Sequence, residues 1–412
     1  MAINHRSKEI VVMTKDALAE VPPAAPDHEA AVRARYTNAA RAAEPALCCP
    51  TRYDERLLAA IPAEVLERDY GCGDPTRHVR PGEVVLDLGS GAGKACFLAA
   101  QVVGPAGRVI GVDMNDGMLA VARRHAPTVA ERLGYANVEF RKGRIQDLNT
   151  DLEWLDAHLA LHPVSNLDDL RGLEWMREQH AAAEPLVASA SVDVVVSNCV
   201  LNLVRPQDKA ALFAEVFRVL RRGGRAVISD IVSDEEVPAR LQRDPDLWSG
   251  CISGALHQER FLEALEEAGF YGISILERQA QPWRTVEGIE FRSLTVAAWK
   301  GKQGPCLEGN QAVIYRGPFR MVEDDDGHRL RRGVPVAVCA KTFALYQGEP
   351  YRAHFDPVPP LTPVELAAAS PFACARGMRV RDPRETKGAG YDQTTDAAAC
   401  GGGEGGEEGG CC

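Results

Sequence analysis

VLDLGSGAGK, residues 85–94, decides the fold class. Its apolar run reads as a buried strand that stops at a glycine turn. KACFLAAQVVG (94–104) reads as the following helix, ended by Gly104. Glycines at 89, 91 and 93 let the backbone turn sharply and approach a ligand closely. RVIGVD (108–113) is a second strand, and its last residue, Asp113, lies 20 residues beyond Gly93. An acidic side chain there can accept hydrogens from both ribose hydroxyls. A mere strand–helix turn would have no use for that acid.

The alternation continues outward. NVEFRKG (137–143), SVDVVVSN (191–198) and RAVISDIV (225–232) read as further strands. Helices are expected at DGMLAVARRHA (116–126), at DKAALFAEVFRVLRRGG (208–224) with glycine at its stop, and at HQERFLEALEEAGF (257–270). Strands alternating with helices imply an α/β chain, a Rossmann-like parallel sheet with helices on both faces. FRSLTVAAWKG (291–301) closes the sheet as a late strand that can run antiparallel. Residues 151–185, with LEWLDAHLALH and DLRGLEWMREQHAAA, are one or two helices inserted at a sheet edge. The expected division is an N-terminal extension (1–45, with a helix over 29–43), the α/β domain (46–300), a small helix-free β domain (301–375) and a flexible glycine-rich tail (376–412).

The glycine spacing separates two kinds of ligand. Dinucleotide folds use G-x-G-x-x-G, with the last glycine packing helix against strand. Here G-x-G-x-G follows an acidic strand end, Asp87. That loop is similar to the S-adenosylmethionine (SAM) loop of class I methyltransferases. The resemblance implies cofactor contacts at Asp87, Gly89, Ser90, Gly91, Gly93 and Asp113. Met114 and Asn115 would flank the adenine. Gly143, Arg144, Ile145 and Gln146 follow the third strand, where an adenine edge is read, although Gln146 can equally be a solvated loop residue. Ser197 and Asn198 end the fourth strand at the carboxyl edge, where open sheets bind ligands.

Composition bounds the partners. The 412 residues carry 47 Lys and Arg against 58 Asp and Glu, a net charge of −11. That balance argues against nucleic acid or an anionic membrane as the main partner. No stretch is long and apolar enough to span a bilayer, and residues 1–30 lack the apolar run of a signal peptide. A cytoplasmic monomer with reduced thiols is the expectation.

The twelve cysteines then need another reading than a secreted disulfide scaffold. No C-x-x-C occurs, so the commonest structural zinc spacing is missing. Free, catalytic or soft-element-binding thiols are left. Cys96, on an apolar helix face, reads as packing. Cys72 in DYGCGDP, Cys199 after Asn198 and Cys251 in LWSGCISGAL can all be brought to the carboxyl edge of the sheet. Gly71 and Gly73 beside Cys72, and Gly250 beside Cys251, are expected to leave those two thiols sterically open.

DYGCGDP, VLDLGSGAGKACFLAAQVVG, VVVSNCVLNLV, RVLRRGGRAVISDIV and LWSGCISGAL together resemble the arsenite S-adenosylmethionine methyltransferases, from about Cys48 to about Phe355. The specific part is Y-G-C-G combined with S-N-C-V-x-N-L and a C-x-x-G-A-L helix start. The resemblance implies an arsenic-detoxifying enzyme. Cys72, Cys199 and Cys251 would bind As(III), with Cys199 and Cys251 indispensable for the methylated acceptor. Trivalent arsenic is soft and pyramidal, so three thiolates can take its three bonding directions and leave its lone pair free. The sulfonium methyl of SAM would face that lone pair. No general base is needed, and catalysis would rest on proximity and orientation. Tyr70 would pack near the sulfonium, an ordinary core tyrosine being an equal reading. One of Cys48 and Cys49 matches the family's N-terminal cysteine, which forms a disulfide with the thiol matching Cys72 during turnover. Thioredoxin or glutathione would reopen it.

Three features depart from that family. The Cys49–Cys72 linker is short, Asp69 stands where an aromatic often precedes the tyrosine, and the insertion at 151–185 either covers the metalloid entrance or decorates the sheet. Cys306, Cys339, Cys374 and Cys400 have no assigned role. Two other readings are a class I methyltransferase acting on a small organic acceptor such as a quinone or sterol, and a metalloid-sequestering protein. The intact glycine loop with Asp113 speaks against the latter.

Overall fold

A computed structural model of the chain describes residues 27–42, 44, 51–374 and 377–395. The chain divides into two units, Met1–Gly301 and Lys302–Cys412. The first is built on strands β1 (Val84–Leu88), β2 (Arg108–Asp113), β3 (Val138–Lys142), β4 (Val192–Asn198) and β5 (Leu220–Ser233). Two-residue β6 (Leu256–His257), β7 (Tyr271–Arg278), short β8 (Arg284–Val286) and β9 (Ile289–Trp299) complete the sheet. Its order is β3-β2-β1-β4-β5-β9-β7. The first five strands pair in parallel, and β9 runs antiparallel between β5 and β7.

β1 and β4 are nearly continuous apolar runs because both faces of a parallel sheet are covered by helices. Leu86, Leu88, Ile110, Val112, Val195 and Phe213 share one buried core. The helix Lys94–Val103 buries Phe97, which meets Phe140 of β3 edge-on at 5.7 Å. From β1 the chain winds first toward β3 and then crosses back to β4. The carboxyl ends of β1 and β4 therefore flank a topological switch point, where open α/β sheets bind ligands.

Several boundaries differ from the sequence expectation. The helix expected over 116–126 continues through Pro127 to Leu133, where left-handed Gly134 ends it. Burial of Val129 anchors the extra turns, and a proline removes only one helical N–H. The helix expected over 208–224 stops at Val219, and LRRGG becomes the start of β5. The insertion forms two helices, Leu152–Leu161 and Leu167–Ala183, and neither buries a residue. They hold together through contacts such as Trp154 stacked on His180 at 4.0 Å. No helix among the described residues is long and apolar enough to cross a membrane.

In the second unit, β10 (Ala312–Tyr315) pairs antiparallel with β13 (Pro335–Ala337) and β14 (Phe355–Val358), beside a hairpin of β11 (Met321–Glu323) and β12 (Arg329–Arg331). Two expectations are corrected here. The unit is not helix-free: AKTFALY forms the helix Ala340–Tyr346, whose Thr342 N–H donates to the Cys339 sulfur at 3.4 Å. Nor does a flexible tail start at 376. Gly377 and Val380 bridge to His328 and Val336, and the buried Arg381 guanidinium donates to the Gln311 carbonyl and pairs with Glu308 at 2.7 Å and Glu385 at 2.5 Å. A buried guanidinium persists only with such partners, and its segment's polar composition hid this docking. Cys400, Cys411 and Cys412 lie outside the described residues.

Candidate active site

The glycine loop folds on the end of β2. Gly89 and Ser90 N–H both donate to the Val112 carbonyl, at 2.8 and 3.0 Å. Gly91 N–H donates to Asp113 Oδ2 and Asn115 N–H to Asp113 Oδ1, each at 2.8 Å. Gly89 holds φ +68°, and a Cβ there would lie 2.4 Å from Val200. A Cβ at Gly91 would meet no atom of the described residues beyond its chain neighbours within 4 Å, so among them the loop leaves that side open. Gly93, at φ +93°, opens the helix Lys94–Val103, and a Cβ on it would press on the Phe140 ring at 2.8 Å.

The loop opens into a cleft of about 1160 Å³, mouth included. Tyr70, Asp87, Gly89, Ser90, Gly91, Asp113, Met114, Asn115, Ile145, Gln146, Asn198 and Cys199 line it. Gly93 lies behind the wall. Burial pushes the Asp87 carboxyl up to about 7, against the opposing effect of Cys96, whose thiol donates to it at 3.2 Å. Cys96 is therefore a buried hydrogen-bond donor as well as packing. Burial also raises Asp113, against its three backbone donors. No residue of the 151–185 insertion lines the cleft.

Some expected cofactor contacts are engaged elsewhere. Asn115 caps the next helix through Met118 N–H and donates to Arg33 O and Thr37 Oγ1. Arg144 pairs with Glu29 at 2.8 Å. The Tyr70 hydroxyl donates to Ala39 O and accepts from Glu44 N–H, each at 3.1 Å, and the residue lines the cleft. Asn198 is turned to the cysteine loop. Its Oδ1 accepts from Cys72 and Gly73 N–H at 2.9 and 3.1 Å, and its Nδ2 donates to Gly73 O at 2.7 Å.

Cys72 and Cys251 are buried, not open as expected; Cys199 is also buried and lines the cleft. The flanking glycines serve close packing instead: a Cβ on Gly71 would overlap Asn198, and one on Gly73 would lie 2.6 Å from Ser229 Oγ. The Cys72 and Cys199 sulfurs and an Asp230 carboxylate oxygen lie within 4.8 Å of one another. The Cys251 sulfur donates to Cys199 O at 3.0 Å and lies 3.9 Å from the Tyr36 hydroxyl. The C-x-x-G-A-L segment is a turn between the helix Pro245–Ser249 and β6, not a helix start. Asn202 ties that turn to β5 by donating to Ile231 O at 2.6 Å and Cys251 O at 3.3 Å. Cys48 and Cys49 lie outside the described residues.

Sequence reasoning missed four residues here. Asp230 accepts from Leu201 and Ile231 N–H, each at 2.8 Å, and burial raises it to about 6. Burial lowers nearby Lys209 to about 8, and its ammonium donates to Leu201 O at 2.8 Å. An acid inside the apolar run VISDIV was the available signal for Asp230. Tyr36 comes from the first described helix, which no motif marked. Lys94, the last residue of VLDLGSGAGK, pairs with Asp69 at 2.6 Å and lies 3.4 Å from the Tyr53 ring centre. Asp69 thus fills the place of the missing aromatic with an ion pair.

A mostly parallel sheet in this order, a glycine loop and an acidic β2 end opening on one cleft define a class I S-adenosylmethionine-dependent methyltransferase. The family described as "Methyltransferase domain" matches residues 80–167 and 176–269, and a domain of unknown function (DUF8838) matches 302–391. An arsenite methyltransferase of Aquipseudomonas alcaligenes is 34% identical over 312 residues, covering 73% of this chain and 80% of that protein. One from Homo sapiens is 28% identical, covering 72% and 73%. The crystal structure of an arsenic(III) S-adenosylmethionine methyltransferase from Chlamydomonas reinhardtii superposes with a TM-score of 0.51 at 28% identity, covering 80% of this chain and 99% of that one. The chain belongs to the arsenite methyltransferase family.

Proposed function

We propose that this protein methylates trivalent arsenic, first arsenite and then methylarsenite, with the SAM methyl group, as part of arsenic detoxification. The observation that carries the reading is that Cys199 lines the glycine-loop cleft while its sulfur neighbours that of Cys72. Donor and acceptor sites thus share one wall.

The cleft fits the cofactor on two counts. Gly91 leaves a cradle that a side chain would fill, and the buried Ser90 hydroxyl has no hydrogen-bond partner among the described residues. Asp113 would hold the ribose hydroxyls, Met114, Ile145 and Gln146 the adenine, and the Tyr70 ring the sulfonium end. SAM, when bound, supplies an electrophilic methyl on a positively charged sulfur. Asn198 acts as a positioning residue, fixing Cys72 toward Cys199 through the loop backbone.

Arsenite enters as a substrate. Cys72, Cys199 and Cys251 thiols replace its three hydroxyls, and three waters leave. Cys251 gives up its bond to the Cys199 carbonyl to join the other two. Asp230, raised to about 6, is placed to relay thiol protons to the departing hydroxides. The thiolates would hold the arsenic lone pair toward the cofactor's methyl group, so that a C–As bond could form as the methyl–sulfur bond breaks. Transfer oxidises arsenic formally by two electrons. Cys72 and one of Cys48 and Cys49 return them by closing a disulfide, which thioredoxin or glutathione reopens. Catalysis is then orientation of two bound reactants. The test is incubation of purified protein with arsenite, SAM and a dithiol. Methylated arsenicals and S-adenosylhomocysteine are expected, and absence of both under reducing conditions overturns the reading.

A further inference from the structure

The second unit brings together three cysteines that the methyl-transfer reading leaves unused. The sulfurs of Cys306, Cys339 and Cys374 lie within 4.8 Å of one another. They come from three separate segments that the backbone fixes to each other. Phe372 N–H donates to Cys306 O at 2.8 Å, and Glu308 N–H donates to Ser370 O at 2.9 Å. Ala340 N–H ties the Cys339 segment to Leu307 O at 2.9 Å. Cys339 is buried, Cys306 half-buried and Cys374 exposed, so the cluster has an anchored base and an open rim.

We propose that Cys306, Cys339 and Cys374 form a second binding site for a trivalent, thiol-seeking metalloid, separate from the cleft cysteines. Sulfurs held at about 2.3 Å from one pyramidal centre lie roughly 3.5 Å apart, so the three thiols must close in by up to about 1 Å to share a ligand. The donor set selects the ligand. Structural zinc takes four protein ligands, and among the described residues no fourth cysteine, histidine or carboxylate joins this group. Pyramidal As(III) takes three sulfurs and keeps its lone pair.

The chemistry balances without a redox partner. Three As–O bonds of arsenite break and three As–S bonds form. Each thiol proton leaves on a hydroxide as water, and arsenic stays trivalent.

The test uses the full chain carrying Cys72→Ser, Cys199→Ser and Cys251→Ser, so that cleft binding is removed. The reduced protein is equilibrated with arsenite, desalted, assayed for bound arsenic and alkylated, with each cysteine read by peptide mass spectrometry. One equivalent of arsenic and at least tenfold protection of Cys306, Cys339 and Cys374 are expected. Adding Cys374→Ser, at an exposed position, should remove both while the circular dichroism spectrum stays unchanged. No bound arsenic, retention of the equivalent in that variant, or uptake of zinc but not arsenite would each overturn the site. Failure here leaves methyl transfer by the unmodified chain untouched, so the two readings fail separately.

Discussion

The Cys251 thiol donates to the Cys199 carbonyl oxygen at 3.0 Å, and both residues hold left-handed backbone, at φ +61° and +62°. Left-handed conformation is costly for a residue with a side chain and clusters at functional sites. Here two thiols on separate segments adopt it in direct contact. Cys199→Ser and Cys251→Ser are each expected to lower turnover of methylarsenite more than 100-fold. Cys72→Ser should lose arsenite turnover and keep the methylarsenite step. Rate assays on the two arsenicals check this, and wild-type rates in all three variants would favour an organic acceptor.

Asn198→Ala strands two N–H donors in the buried cysteine loop, a loss of about 1–3 kcal/mol. A lower melting temperature and a drop of at least tenfold in kcat on arsenite are expected, with KM for SAM nearly unchanged. Asn198→Asp keeps the acceptor and should recover part of both. A variant with raised KM for SAM and normal kcat would return Asn198 to the cofactor.

Ser90→Ala removes a buried hydroxyl that no atom of the described residues satisfies. The apo melting temperature should hold or rise. Affinity for SAM, read by titration calorimetry, should fall about five- to tenfold, the worth of one hydrogen bond. Unchanged affinity would take the hydroxyl out of the cofactor site.

Stability should depend on pH through Asp87, which folding raises from 3.8 to about 7. The folded state binds this proton more tightly than the unfolded state, so the contribution is full below pH 3.8 and is lost as pH rises through 7. Asp230, raised to about 6, acts with the same sign over a narrower window. Asp87→Asn should therefore melt near wild type at pH 4 and above it at pH 8, by up to about 2–4 kcal/mol. Scanning calorimetry across this range checks the sign, and a gap that widens toward acid contradicts it.

Truncation separates the docked segment 377–395 from residues 396–412. A chain ending at 395 should keep wild-type stability and rate. A chain ending at 375 loses Arg381 and its contacts with Glu308 and Gln311, and its second unit should melt earlier. Equal melting of the two chains would remove the structural role given to Arg381.

Much of the nucleotide half was legible because its requirements are local. A strand, a turn needing left-handed glycine and an acid at the next strand end succeed one another within 29 residues, 85–113. Asn198 and Asn115 line the cleft, and each ends a strand or opens a helix at the place the sequence reading expects. Only distant neighbours reveal that their amides are taken. The glycines beside Cys72 looked like open space and proved to be close contacts with β4 and β5.

The sequence by itself determined the α/β class, the glycine loop and which cysteines the family motifs single out, since periodicity, backbone freedom and residue spacing are properties of the chain. Tertiary structure decided what touches what. It buried Asp87 and Asp230, set Cys72 beside Cys199 and gathered Cys306, Cys339 and Cys374 from three segments. Burial and contact between residues far apart in the chain arise only when the core closes, and no local pattern encodes them.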